Sequence, residues 1–220
     1  RKLLNASKTL KEKKIKHLTI QADILLKNSC KKIFNLHKKF SKNKIDILIN
    51  NVGGGGRWGD KVIENTKMNV WEDVYKKNVS SAIELTMMSI KLMKKNKWGR
   101  VITISSIHGK EAGGLPWFNM SKAAQISLMK SLSIQKYLVR SGITFNTVAP
   151  GAIYIKNTGI EKLKLKNIKK YKKYVNDNYP IGRLGKPEEV ADLVTFLTSE
   201  KAKFINGSCF TIDGGATRSY

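Results

Sequence analysis

Short apolar runs alternate along this chain with longer stretches in which apolar positions recur every three or four residues. Such alternation predicts a parallel α/β sheet, because parallel strands need a crossover helix and each helix needs a sheet face to cover. Five strands are predicted, at 17–22, 45–50, 100–105, 143–149 and 208–212. The run IDILINN (45–51) is continuously apolar, as expected of a strand covered on both faces. Helices are predicted over 2–14 as an exposed lysine-rich segment, and over 30–40 with Ile33, Phe34 and Leu36 inward. Others follow over 71–95, over 118–138, over 156–174 with tyrosines on one face, and from Pro187 onward, proline being favoured in a first turn. No internal repeat or linker interrupts residues 1–220, which read as one domain.

The length of 220 residues suits a single well-buried domain. No apolar run reaches the roughly 18 residues of a membrane-spanning helix. Lys and Arg number 42 against 16 Asp and Glu, a net charge of +26. The excess is mostly lysine, spread over nearly every predicted helix, beside the abundant Asn and Ile of an AT-rich coding sequence. It lacks the aromatic–basic interleaving of a single-strand binder, so no nucleic-acid or membrane partner is expected. Cys30 and Cys209 lie far apart with no CxxC, and His17, His37 and His108 are scattered, so no metal site is expected. Free thiols in a reducing cytoplasm are the expectation. The glycine run 53–56 follows the second predicted strand without opening a helix, which reads as a flexible loop rather than a phosphate cradle.

Six motifs in order then carry a resemblance: NNVG (50–53), KKNVSSA (76–82), GRVITISS (99–106), FNMSKAA (118–124), VAPGAI (148–153) and the stretch from PIGRLGKPEEVADLV to TIDGG (180–215). Together they resemble the short-chain dehydrogenase/reductase family over essentially the whole chain. The resemblance implies a Rossmann-like, doubly wound parallel sheet. It also implies that two strands and a TGxxxGxG turn precede Arg1, so that the chain reads as N-terminally incomplete. Such a fold places its first strand beside IDILINN, whose edge would otherwise carry unpaired backbone groups.

The resemblance implies an oxidoreductase that moves a hydride between NAD or NADP and a carbonyl or secondary alcohol. Asn78, Ser106 and Lys122 fall on its catalytic positions. Ser106 would donate to the substrate oxygen. Lys122, in the first turn of its predicted helix, would bind the nicotinamide ribose. Asn78 would hold a water linked to Lys122. Cofactor contacts carry over to Asp23 near the adenine, to Asn51, Val52 and Gly53 under the adenosine ribose, and to Pro150, Gly151 and Ile153 beside the nicotinamide. Where the family has its catalytic tyrosine, this chain has Phe118, and no tyrosine occurs between Tyr75 and Tyr137. Phenylalanine has no proton to give, and general acid–base catalysis contributes about 10²–10⁴ in rate.

Three readings follow: a substitute donor (His108, Glu111 or a held water), chemistry that needs no phenol, or a silent cofactor-binding scaffold. Trp117 and Phe118 form either an apolar wall of the crevice or helix-start packing. Ile155 stands where many relatives carry a cofactor-contacting threonine. The segment 156–174, with eight lysines, occupies the place of the substrate lid, which admits a phosphorylated or acyl-carrier-linked substrate, although the general lysine excess explains it better. A homodimer or homotetramer through the helices 71–95 and 118–138 is expected, with Leu128, Met129 and Leu132 beyond the needs of one core face.

Overall fold

The computed structural model describes residues 2–219. Four strands, β1 (Ile47–Asn50), β2 (Gly99–Ile104), β3 (Ile143–Pro150) and β4 (Cys209–Ile212), form one parallel sheet in that order. Helices α1 (Lys2–Glu12) and α2 (Ser29–Phe40) come before β1, and α3 (Met68–Tyr75) and α4 (Ser81–Asn96) link β1 to β2. The next crossover holds α5 (Pro116–Ser133) and α6 (Lys136–Val139), and the last holds α7 (Gly159–Lys166), α8 (Ile168–Asn178) and α9 (Pro187–Thr198).

Successive strand residues point to opposite faces, and both faces are used. Val101 and Phe145 join Ile90, Met93, Met129 and Leu138 in one core under α4, α5 and α6. Ile102 and Val148, at positions of opposite parity, join Val194 and Leu197 of α9 in a second core on the other face. A third cluster, Val175, Tyr179 and Leu184, packs α8 against the loop after β3. On the α9 side of β1, Ile47 and Ile49 stay 45% and 47% exposed, and nothing among the described residues pairs with that strand's outer edge.

Several expectations need correction. The stretch 17–22 is not a strand: Leu18 is exposed, and no neighbouring strand among the described residues gives its backbone a ladder to join. Among the described residues the sheet therefore has four strands rather than five. Leu36 is also exposed, because α2 buries the stripe Cys30, Ile33, Phe34 and His37, from which position 36 is turned away. Met129 is core, with Leu128 and Leu132 packed against it, so these three are not a spare face. Segment 118–138 breaks after Ser133, and 156–174 is two helices, split where the Asn167 side chain accepts from Lys170 N at 2.8 Å and caps α8.

Between α3 and α4 the chain does not break; it widens into a π-helical turn over Lys76–Ser80. Such turns leave carbonyls turned out of the regular ladder. No described helix is long and apolar enough to cross a membrane.

Candidate active site

The strand ends of a parallel sheet open into a crevice, and the candidate residues gather there. Lys122 lies on α5, which begins at Pro116, so it stands in the second turn rather than the first and away from the positive end of the helix dipole. Only 5% exposed, its ammonium donates to Ile104 O at the end of β2 (3.1 Å) and to Gln125 Oε1 (2.9 Å). Burial pulls its pKa down to about 8. The Phe118 ring lies 5.5 Å from Nζ, within cation–π reach. Ser105 Oγ donates to Lys122 O at 2.8 Å and ties the helix to the strand end.

Asn78 sits inside the π turn with no exposed surface. Its amide donates to Val74 O and Gly54 O, both at 2.8 Å, and its Oδ1 accepts from Gly54 N at 3.2 Å. A side chain joins Asn78 to Lys122: Gln125 Nε2 donates to Asn78 O at 2.7 Å while Gln125 Oε1 accepts from Lys122. The glycine run is accordingly tied down rather than loose. Gly54 is bound to Asn78, and Gly55 O accepts from Trp117 Nε1 at 3.1 Å. At Gly53 a Cβ would come within 2.8 Å of Asn78 Oδ1 and 3.1 Å of Lys122 Nζ, so the position admits no side chain.

Ser106 is half-buried in extended backbone, and its Oγ accepts from His108 N at 3.2 Å, leaving its own hydroxyl proton free to donate outward. His108 presents its ring edge-on to Phe118, centroids 6.4 Å apart. Burial lowers the His108 pKa, with Glu111 opposing weakly, and its Nδ1 is buried without a hydrogen-bond partner. Glu111 itself turns to accept from Arg218 N at 3.1 Å. Trp117 and Phe118 divide the two roles considered for them. Trp117, 2% exposed, packs edge-on against Trp71, whereas Phe118 is a wall. With His108, Leu115 and the loop from Gly54 to Trp58, Phe118 lines an open cavity of about 640 Å³.

The cofactor candidates are only partly brought together. Asn51, Pro150 and Ile153, with Ile104 and Ile155, line a second, largely apolar cavity of about 430 Å³ at the ends of β1, β2 and β3. Gly53 borders Lys122, Val52 is exposed, and Gly151 packs against Asp213. Asp23 lies outside that cavity; its carboxylate accepts from Leu25 N at 3.0 Å. Cys30 and Cys209 are free thiols. Sequence reasoning missed Gln125, whose one signal was a polar residue three positions after Lys122 on a helix face that buries Trp117, Ser121 and Met129.

A family profile described as enoyl-(acyl carrier protein) reductase matches residues 2–217. The chain is 40% identical over 185 residues to a 3-oxoacyl-(acyl carrier protein) reductase of Buchnera aphidicola subsp. Acyrthosiphon pisum, covering 84% of this chain and 70% of that protein. It is 37% identical over 172 residues to a reductase of the same name from Aquifex aeolicus, covering 78% of this chain and 65% of that one. It is 33% identical to the corresponding Escherichia coli enzyme over 78% of this chain and 66% of that one. Among solved structures, an L-sorbose reductase from Gluconobacter frateurii with NADPH and L-sorbose superposes at a TM-score of 0.87, with 26% identity, 99% of this chain and 84% of that one. A 7α-hydroxysteroid dehydrogenase with NADH and 7-oxo glycochenodeoxycholic acid superposes at 0.84, with 25% identity, 99% of this chain and 81% of that one. With the parallel sheet, the strand-end crevice and the SKAA helix in place, the chain belongs to the short-chain dehydrogenase/reductase family of oxidoreductases.

Proposed function

We propose that this chain is an NAD(P)-dependent reductase that converts a carbonyl to a secondary alcohol on an acyl-carrier-linked or comparably extended substrate, with a proton donor other than a phenol. The observation that carries it is the buried Lys122 ammonium, held beside a glycine that has no room for a side chain, at the strand ends where Ser106 also emerges. The relatives named as 3-oxoacyl-(acyl carrier protein) reductases support the substrate class, and the solved neighbours with NADH or NADPH support the cofactor. The residues fit such a cofactor, since a Cβ at Gly53 would fill the space beside Lys122 that a ribose needs.

The nicotinamide supplies the hydride when bound. The protein's own residues do the rest. Lys122 binds ribose hydroxyls, with Asn51, Val52 and Gly53 beneath the adenosine end and Asp23 toward the adenine. Pro150, Gly151 and Ile153 flank the nicotinamide. Ser106 donates to the substrate oxygen as charge develops on it. His108, whose ring packs against the same Phe118 ring that Lys122 approaches, gives the proton that the missing hydroxyl would have given. The open edge of β1, where Ile47 and Ile49 stay half exposed, supports further strands beside it. Met68, Tyr75 and Met120, exposed around a cavity of about 590 Å³ between α3 and α5, support a homo-oligomer through these helices.

Titration of NADH and NADPH into the protein tests this reading without a guessed substrate. Binding of either supports it, and binding of neither overturns it. Phe118 favours a second reading, a cofactor-binding scaffold without turnover. That reading predicts binding, no reduction of any 3-oxoacyl thioester, and no effect of Ser106→Ala.

A further inference from the structure

Gln125 is fully buried, and its two amide atoms are used in opposite senses. Oε1 accepts from Lys122 Nζ at 2.9 Å, and Nε2 donates to Asn78 O at 2.7 Å. Its orientation is forced, because a flipped amide would set donor against ammonium and acceptor against carbonyl. The carbonyl it meets belongs to the π turn, where a residue of α5 can reach it. One amide thus joins α5, the π turn and the charge at the centre of the site.

An ammonium has three N–H donors. Two are committed, to Ile104 O and to Gln125 Oε1. The space beside Nζ at Gly53 is kept open by the absence of a side chain there, which leaves room for one outside acceptor. The other groups at this spot are the neutral Asn78 amide oxygen, which borders the same space at Gly53, and the Phe118 ring 5.5 Å from Nζ, against which the titratable His108 packs edge-on. No carboxylate is among them. Among the described residues, the only acceptor side chain that meets the charge is therefore a neutral one, able to aim the ammonium without pairing it off. We propose that Gln125 is a positioning residue that clamps the Lys122 ammonium so that its remaining N–H points to a ligand hydroxyl. In the reading above, on which this inference rests, that hydroxyl belongs to the cofactor ribose.

A purely structural tie between α5 and the π turn depends on Nε2, whereas the clamp depends on Oε1, and two substitutions separate them. Gln125→Glu keeps the acceptor and adds charge but loses the donor to Asn78. Gln125→Met keeps the shape and loses both. The Lys122 side chain is followed by NMR of protein labelled at lysine Cε, its signal assigned by loss in Lys122→Met, and NADH and NADPH binding is measured over the same pH series. The midpoint of Lys122 is expected to rise in Gln125→Glu by about one unit or more, and to fall in Gln125→Met. Cofactor binding at neutral pH is expected to weaken about tenfold in Gln125→Met, the loss of one bond to a charged group. Lys122 midpoints unchanged in both variants, whatever their melting temperatures, would overturn the clamp. Opposite shifts with unchanged cofactor affinity would overturn its role in binding. Opposite shifts in a protein whose unsubstituted form binds neither cofactor would uphold the clamp and sink the redox reading instead.

Discussion

Asn78 and Gly54 exchange a pair of hydrogen bonds: the Asn78 amide donates to Gly54 O at 2.8 Å, and Gly54 N donates to Asn78 Oδ1 at 3.2 Å. A side chain thereby imitates a strand neighbour and gives the loop after β1 its shape. Asn78→Ala would leave Gly54 N and Gly54 O, and Val74 O beneath them, without these partners. Unmade bonds of this kind cost about 1–3 kcal/mol each when buried. The expected outcome is a lower unfolding midpoint in denaturant together with weaker NAD(P)H binding. A stability loss with affinity unchanged would show that the loop does not shape the cofactor site.

Gly53→Ala tests the site more narrowly. The added methyl would meet Asn78 Oδ1 at 2.8 Å and Lys122 Nζ at 3.1 Å, both of them held by other bonds. Cofactor affinity should fall by about tenfold or more, as displacement of one charge-assisted bond implies. Isothermal titration with NADH and NADPH would check it.

Phe118→Tyr restores a hydroxyl on a ring whose centroid lies 5.5 Å from the Lys122 ammonium. Steady-state reduction of a 3-oxoacyl thioester should quicken, by up to about 10²–10⁴ if general acid catalysis limits the rate. A gain confined to KM would mean that the ring only shapes the pocket.

If His108 supplies the proton, the rate must follow its charge. Burial holds its pKa below the ordinary value, so the protonated form accumulates only as pH falls beneath the usual histidine range. Carbonyl reduction should therefore accelerate on the acid side of neutrality, and His108→Asn should flatten that limb of the kcat profile. A limb that survives the substitution would assign the proton to another group.

Lys122 gives the opposite dependence. Its ammonium is present below about pH 8, so cofactor binding should weaken as pH rises through that value. Stability runs the other way. Between about pH 8 and the unfolded lysine's value near 10.4 the unfolded chain holds a proton that the folded one has released, so the unfolding free energy should rise with pH over that window. Denaturant melts across it should show the rise, and Lys122→Met should remove it.

Sequence legibility followed the locality of each interaction. β2, β3 and α9 lie where their apolar patterns place them, because those residues are buried whichever neighbours they have. The stretch 17–22 carries the same kind of pattern, yet a strand exists only beside another strand, and pairing is not written in a single run. The serine, the lysine and the phenylalanine were visible in motifs. Their environment was not: the depth of Lys122 depends on α5 beginning at Pro116, and Gln125 became meaningful only when the π turn brought Asn78 O to it. Trp117 and Phe118, adjacent in sequence, face different surroundings because neighbouring helix positions are about 100° apart.

That same angle gives the π turn a consequence for how this chain tolerates change in length. The turn holds one residue more than a regular helix would, which offsets the face of α3 relative to α4 by about 100°. Trp71 and Val74 of α3 thereby meet α5 and the glycine loop, while Ile90 and Met93 of α4 meet the sheet. Deleting one residue within 76–80 would yield a smoother and locally more regular helix. It would also turn one half out of phase with the other, so the irregular turn acts as a phase-setting spacer in which a single-residue deletion is worse than most substitutions.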